Sequence, residues 1–320
     1  MPGVRPYFQG ELTVIVDVAR VEAFLVTRFG GAGSDVVHLG TGIWSKAFAF
    51  RRAGRDYVIR FGAYQEDFAK DHLAARYACP ALPIPRVVAL GEAYGGYYAI
   101  AERVFGGYID DVDEPQMRAL LPALFAALDT ARRADLAGTT GYGPWGADGT
   151  APYPSWRAAL LAVANDRPTD RTHGWRERLA ASSVGVGPFA EAYGHLQTLA
   201  DRVPEERHLI HSDLLHYNVL VEAERITGVL DWGCGMYGDF LYDLAWLCFW
   251  QPWYPAWQRI DFREAATRHY ASIGLNVPDF EARLRCCQIH IGLAGQAYMA
   301  YAGHWTDLQD TAQRTLDVAT

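Results

Sequence analysis

A chain of 320 residues, half of them hydrophobic, can bury one large core or two of ordinary size. Its formal charge of −8 is unevenly spread: residues 1–104 carry 12 Lys or Arg against 10 Asp or Glu, and the remainder 17 against 27, which argues against nucleic acid as a partner and suits a cationic ligand. No apolar run reaches the ~18 residues of a membrane span, the opening residues show no signal-peptide pattern, and five cysteines without a CxxC pair fit small buried side chains in a reducing cytoplasm.

The β-branched and aromatic content of residues 36–39, 47–50 and 57–61 predicts three antiparallel strands, with the turn Gly40-Thr41-Gly42 between the first two. Residues 65–78 carry apolar side chains at helical spacing and are stopped by Pro80, Pro83 and Pro85. Two further strands are predicted at 87–90 and 97–104. Gly106-Gly107 then breaks the chain, and the pattern beyond is mainly helical: 114–134, 155–165 with Ser155 as N-cap, 189–203, 240–250, 261–273 and 279–301. Short strands at 218–221 and 226–230 interrupt it. The expected architecture is α+β and bilobal: a small antiparallel-sheet lobe over residues 1–104, a larger and mainly helical lobe over 105–320, and a ligand cleft between them.

His211-Ser212-Asp213-Leu214-Leu215-His216-Tyr217-Asn218 is followed, after a predicted hairpin, by Leu230-Asp231-Trp232. Phosphoryl transfer to a hydroxyl requires a carboxylate that orients the hydroxyl and takes its proton. It also requires oxygen ligands for Mg2+ on the β- and γ-phosphates. An Asp, an Asn five residues on and an Asp closing the next hairpin meet that need, with Asp213 facing the acceptor hydroxyl and Asn218 and Asp231 holding the metal. Singly, each is an ordinary turn residue; the spacing carries the reading. His208, His211 and His216 lack carboxylate or cysteine partners at metal-ligand spacing.

His211, Asp213, Asn218 and Asp231 stand in the pattern shared by eukaryotic-like protein kinases and the aminoglycoside phosphotransferase family. Asp231-Trp232 replaces the protein kinases' Asp-Phe-Gly, and Gly238-Asp239-Phe240-Leu241-Tyr242-Asp243-Leu244-Ala245 follows, which resembles the second group. Ser45-Lys46-Ala47-Phe48, Ala81-Leu82-Pro83-Ile84-Pro85, Gly141-Tyr142-Gly143-Pro144 and Phe249-Trp250-Gln251-Pro252-Trp253 extend the resemblance from about residue 40 to about residue 300. It implies a protein-kinase-like fold, ATP or GTP with Mg2+, and an aminoglycoside or aminocyclitol of the hygromycin B kind as acceptor. It also implies that Asp243 anchors the catalytic loop through backbone hydrogen bonds.

Kinases usually place a lysine on the third strand, where this chain has Arg60, a bidentate phosphate donor. Its expected carboxylate partner is Asp71, with Glu66 second, and its rivals for the phosphates are the chain's two lysines, Lys46 and Lys70. Backbone groups from Gly42 to Ser45 would cover the β- and γ-phosphates, and the hinge at Glu102 and Val104 would meet the purine. The expected cation-binding wall comprises Asp213, Asp239, Asp307 and Asp310, with Trp250, Trp253 and Tyr298 as flat surface for sugar rings or, for at least two of the three, as core packing. The alternatives are a metabolic kinase for choline, a sugar or an amino alcohol, and a catalytically dead nucleotide-binding module. A monomer without membrane or nucleic-acid partners is expected.

Overall fold

The computed structural model describes residues 16–30 and 34–320. Helix α1 (Val18–Phe29) is capped by the Asp17 carboxylate, which accepts the Arg20 N–H, and ends at Gly30 in the left-handed conformation. It covers one face of a five-stranded antiparallel sheet built from β1 (Ser34–Thr41), β2 (Ser45–Arg52), β3 (Arg55–Gly62), β4 (Val87–Ala93) and β5 (Gly96–Glu102), in the order β1-β2-β3-β5-β4. Period-2 alternation sends Phe48, Phe50, Ile59, Phe61, Tyr98 and Ile100 to the α1 face, where they close a core with Val21 and Leu25. The opposite face receives α2 (Gln65–Ala74), through Phe68 packed on Val87 and Ala99.

The chain crosses to the larger lobe at Gly106. Its φ of +154° is open only to glycine, and a Cβ there would lie 2.6 Å from Thr227 Oγ1 and 2.7 Å from the Val221 carbonyl oxygen. Next come β6 (Gly107–Tyr108) and α3 (Glu114–Arg132), which begins in a capping box between Asp113 and Gln116. Strand β7 (Gly143–Pro144) precedes α4 (Trp156–Leu161), where Ser155 caps the Ala158 N–H at 3.0 Å, and α5 (Trp175–Ala181) and α6 (Gly187–Ala200) follow. Strands β8 (His208–Ile210), β9 (Val219–Glu222), β10 (Arg225–Val229) and β11 (Met236–Gly238) form two small sheets, β10-β9-β6 and β7-β11-β8. The lobe closes with α7 (Leu241–Trp250), α8 (Phe262–Ser272), α9 (Phe280–Ala302) and α10 (Trp305–Ala319).

Nine of the ten α7 residues are buried, as the unbroken apolar run requires, and α9 packs across α5, α6, α7 and α10. The fold is thus the expected one: an antiparallel-sheet N-terminal region and a helical C-terminal region. The larger core also takes in Ala74, Leu82 and Ile84, so the packing of the two lobes does not divide at a single point in the chain. Helices α1, α5 and α10 were not foreseen. In α10 the inward stripe includes Thr311 and Thr315, both fully buried, which mutes the apolar periodicity. No helix among the described residues is long and apolar enough to cross a membrane.

Candidate active site

Residues 211–218 form the loop between β8 and β9, and Asp231 follows β10, so the β9–β10 hairpin brings the two halves of the motif side by side. The loop backbone is unusual. Ser212, His216, Tyr217 and Asp231 all have φ between +56° and +70°, a conformation that costs non-glycine residues energy and persists where surrounding contacts impose it. For Ser212, His216 and Tyr217 those contacts include two carboxylates, the buried Asp243 and the half-buried Asp110. Asp243 accepts the His211 N–H at 2.9 Å and the Ser212 N–H at 2.8 Å. Burial raises its pKa, against the pull of His211 and these backbone donors. Asp110 accepts the His216 N–H at 2.8 Å and the Tyr217 N–H at 3.0 Å, and receives the Tyr254 hydroxyl at 2.8 Å.

Within the loop, the Asp213 N–H donates to His211 Nδ1 at 3.2 Å, so the hydrogen of that imidazole lies on Nε2, which donates to the Leu230 carbonyl at 2.7 Å. Asn218 Nδ2 donates to the Asp213 carbonyl at 2.9 Å. The Asp213 carboxylate lies 2.8 Å from His216 Nδ1. Burial disfavours a charged His216, but the hydrogen bond and charge of Asp213, with Asp110 adding, prevail and raise its pKa.

Arg60 is placed by strand parity. Ile59 and Phe61 point to α1, so Arg60 points to α2 and the cleft, flanked across the sheet by Ala47 and Ala99, whose short side chains leave space. It forms an ion pair with Asp71, lies 3.8 Å from Asp231, and rests over the Phe68 ring. Asp71 also accepts the Trp232 N–H at 2.8 Å, which ties α2 to the segment after Asp231. Glu66 instead lies 3.8 Å from Arg171.

Both lysines are engaged elsewhere. Lys46 shares the α1 face with Phe48 and donates to the Val16 carbonyl at 2.8 Å. Lys70 is buried, its pKa lowered by desolvation, and donates to the carbonyls of Gly233 at 2.6 Å and Gly235 at 3.4 Å.

The remaining expected residues fare unevenly. Gly42 spends its N–H on the Ser45 carbonyl at 2.8 Å, which closes the β1–β2 turn, and Ser45 pairs with Gly62 in the sheet. The Glu102 N–H donates to the Arg86 carbonyl, and its carboxylate pairs with Arg86 at 2.6 Å, which lowers its pKa. Val104 lies just past β5, outside any strand.

Asp239 has to be corrected. It is fully buried, gripped by Arg283 through two bonds of 2.8 Å, and accepts the Leu241 N–H, so it faces no substrate. An unpaired carboxylate could not be buried at acceptable cost, and Arg283 is 44 residues away in sequence. Trp250 is likewise a buried packing residue, with its ring 5.7 Å from His216 and 5.1 Å from Trp253, which stacks on Phe249. Asp307 and Asp310 stand on α10, which packs chiefly on α9 and α6, and Asp307 lies 3.6 Å from His304.

Tyr298 is half-buried on α9. Burial raises its phenol pKa, with Tyr301 and Cys234 adding to it. Cys234 departs from the expected buried thiol: solvent reaches it, yet the crowded cleft pushes its pKa up to about 12, with Asp213 and Asp231 contributing. Asp110, Tyr254 and the anchoring role of Lys70 escaped the sequence reading, because their partners lie more than 100 residues away in sequence.

The family model of the phosphotransferase enzyme family matches residues 28–280. Hygromycin-B 4-O-kinase from Escherichia coli is 34% identical over 275 residues, which is 85% of this chain and 76% of that protein. A thermostable mutant of aminoglycoside phosphotransferase APH(4)-Ia, solved as a ternary complex with AMP-PNP and hygromycin B, has a TM-score of 0.81 at 32% identity, covering 93% of this chain and 97% of the other. The GDP and kanamycin complex of APH(2")-IIIa, at a TM-score of 0.61 and 15% identity over 92% of this chain and 97% of that one, shares the fold alone. Matched in sequence over most of its length, and carrying the loop, hairpin and strand-borne cation derived above, the chain belongs to the aminoglycoside phosphotransferase family of phosphotransferase enzymes.

Proposed function

We propose that this enzyme transfers the γ-phosphate of ATP or GTP to a hydroxyl of hygromycin B or a close aminocyclitol, and so protects its host from the drug. The observation that supports the reading is that Arg60 on β3 lies 3.8 Å from Asp231, while Asp213 and Asn218 share the loop joined to Asp231 through the β9–β10 hairpin. Asp213 orients the acceptor hydroxyl and takes its proton as the new P–O bond forms. Arg60, held by Asp71, meets the α- and β-phosphates, the turn from Gly42 to Ser45 covers the phosphates, and Val104 meets the purine.

Asp231 and Asn218 fit a magnesium ion. Both offer hard oxygen donors, and Asn218 spends its amide N–H on the Asp213 carbonyl, which leaves Oδ1 for a cation. When bound, Mg2+ neutralises charge on the phosphate oxygens. The 17-to-27 excess of acidic residues after position 104 suits an acceptor carrying several ammonium groups.

The test is nucleotide- and magnesium-dependent phosphorylation of hygromycin B, with choline and a neutral sugar as comparison acceptors. Asp213→Asn should lower kcat at least ~10²-fold with little change in nucleotide KM. Expression in a sensitive bacterium should confer resistance that Asp213→Ala removes. Good turnover of choline or sugar with none of any aminoglycoside would replace the antibiotic reading with a metabolic one.

A further inference from the structure

We propose that Asp110 and His216 form a positioning device that presents one carboxylate oxygen of Asp213 to the acceptor hydroxyl. The inference rests on the reading of Asp213 as the base. An ionised carboxylate only accepts hydrogen bonds, so at 2.8 Å His216 Nδ1 carries the hydrogen and donates it to Asp213 Oδ1. That bond fixes the carboxylate plane and leaves Oδ2 for the hydroxyl.

His216 reaches Asp213, three residues back, because it and Tyr217 both adopt left-handed backbone conformations, with φ of 63° and 70°. Two such residues in a row are unfavourable without support. Asp110 supplies that support: each of its carboxylate oxygens takes one of the two N–H groups, at 2.8 and 3.0 Å. Asp110 is itself fixed, since it lies in the short helical turn Ile109–Asp111 after β6 and receives the Tyr254 hydroxyl at 2.8 Å. Trp246 and Trp250 stand edge-on to the His216 ring, with centroids 6.1 and 5.7 Å away, and pack against the imidazole. The path runs from Asp110 to the backbone of residues 216 and 217, to the His216 ring, and to the base.

A catalytic carboxylate displaced by about an ångström can lose ~10²-fold in rate. His216→Ala should therefore lower kcat ~10- to 100-fold while the nucleotide KM stays within about twofold. His216→Asn should recover most of the loss, because asparagine tolerates the left-handed conformation and its amide N–H replaces Nδ1–H. His216→Gln places its amide nearer the Nε2 position and should not recover it. Asp110→Asn should lower kcat about tenfold, and the Asp110→Asn/His216→Ala double variant should lose no more than His216→Ala alone, since one residue acts through the other.

Wild-type kcat in both single variants, beside an inactive Asp213→Asn, would overturn the device and leave the base in place. An active Asp213→Asn would overturn the base and the device together. If His216→Ala does not fold, equal kcat for His216→Asn and His216→Gln would overturn the device, and an active Asn variant beside an impaired Gln variant would support it.

Discussion

On the C-terminal side of the cleft, the backbone of residues 211–217 hangs on two carboxylates, with Asp243 taking two N–H groups and Asp110 taking two more. On the N-terminal side the corresponding groups are ion pairs within reach of water: Arg60 with Asp71, and Arg171 with Asp67 at 2.8 and 2.9 Å. Arg171 comes from the larger lobe and lies over Tyr64, 3.8 Å from the ring centre, while Tyr64 packs on Trp44 beside the β1–β2 turn. The loop carrying Asp213 is thus set in advance by backbone hydrogen bonds to carboxylates, buried at Asp243 and partly open at Asp110. The Arg60 side is set by ion pairs, which salt can rearrange. Lys70 joins the two, reaching from α2 to the carbonyls after Asp231.

The largest effect expected from this contrast is at Asp231, where both sides meet. Asp231→Ala should leave no measurable turnover, and Asn218→Ala should raise the magnesium requirement. Unchanged magnesium titrations for both would make them turn residues only. Next, Arg60→Ala should cost on the order of 10²-fold in kcat/KM for nucleotide and Arg60→Lys about tenfold, since a cation is needed and the second donor helps. Equal kcat/KM in both variants and the wild type would show that another group holds the phosphates.

The buried side should respond to pH instead. His290 on α9 lies under α7, where Nδ1 meets the Tyr242 hydroxyl at 2.9 Å, and burial pushes its pKa down to about 4. In the unfolded chain it titrates near ~6.5, so below that pH the unfolded state binds a proton that the folded state refuses. The stability present above pH ~6.5 is lost as pH falls toward 4, by about 2 kcal/mol between 6.5 and 5. Urea unfolding at pH 7 and 5 should show this loss in the wild type and its removal in His290→Gln. An equal pH response in the two proteins would assign the loss to other groups. Smallest of all, Arg171→Ala should raise the nucleotide KM about threefold at low salt and less at high salt. An effect independent of salt would mean that Arg171 acts by packing on Tyr64.

Legibility in the sequence followed the range of the interaction. Asp213, Asn218 and Asp231 were readable because a loop and a hairpin bring them together from within 19 residues, and Asp71 because one turn of α2 sets its direction. Asp243 carried over by resemblance and holds the loop as expected. Asp239, four residues earlier in the same segment, looked equally available for substrate, and only Arg283 from α9 shows that it is spoken for. In sequence Trp250 fits sugar surface and core packing alike for a similar reason, and its burial beside His216 and Trp253 gives the core reading.

By itself, then, the sequence determined the two-lobed α+β layout, the strand parity that turns Arg60 toward the cleft, and the spacing of the chemical groups. These depend on local periodicity and short loops, which residue order encodes directly. Tertiary structure alone decided which carboxylates are already neutralised, which lysine is buried, and that Asp110 reaches across more than 100 residues to the loop carrying Asp213. A charged side chain has the same identity in sequence whether its partner is water, a backbone N–H or an arginine from a distant helix, and packing chooses among them.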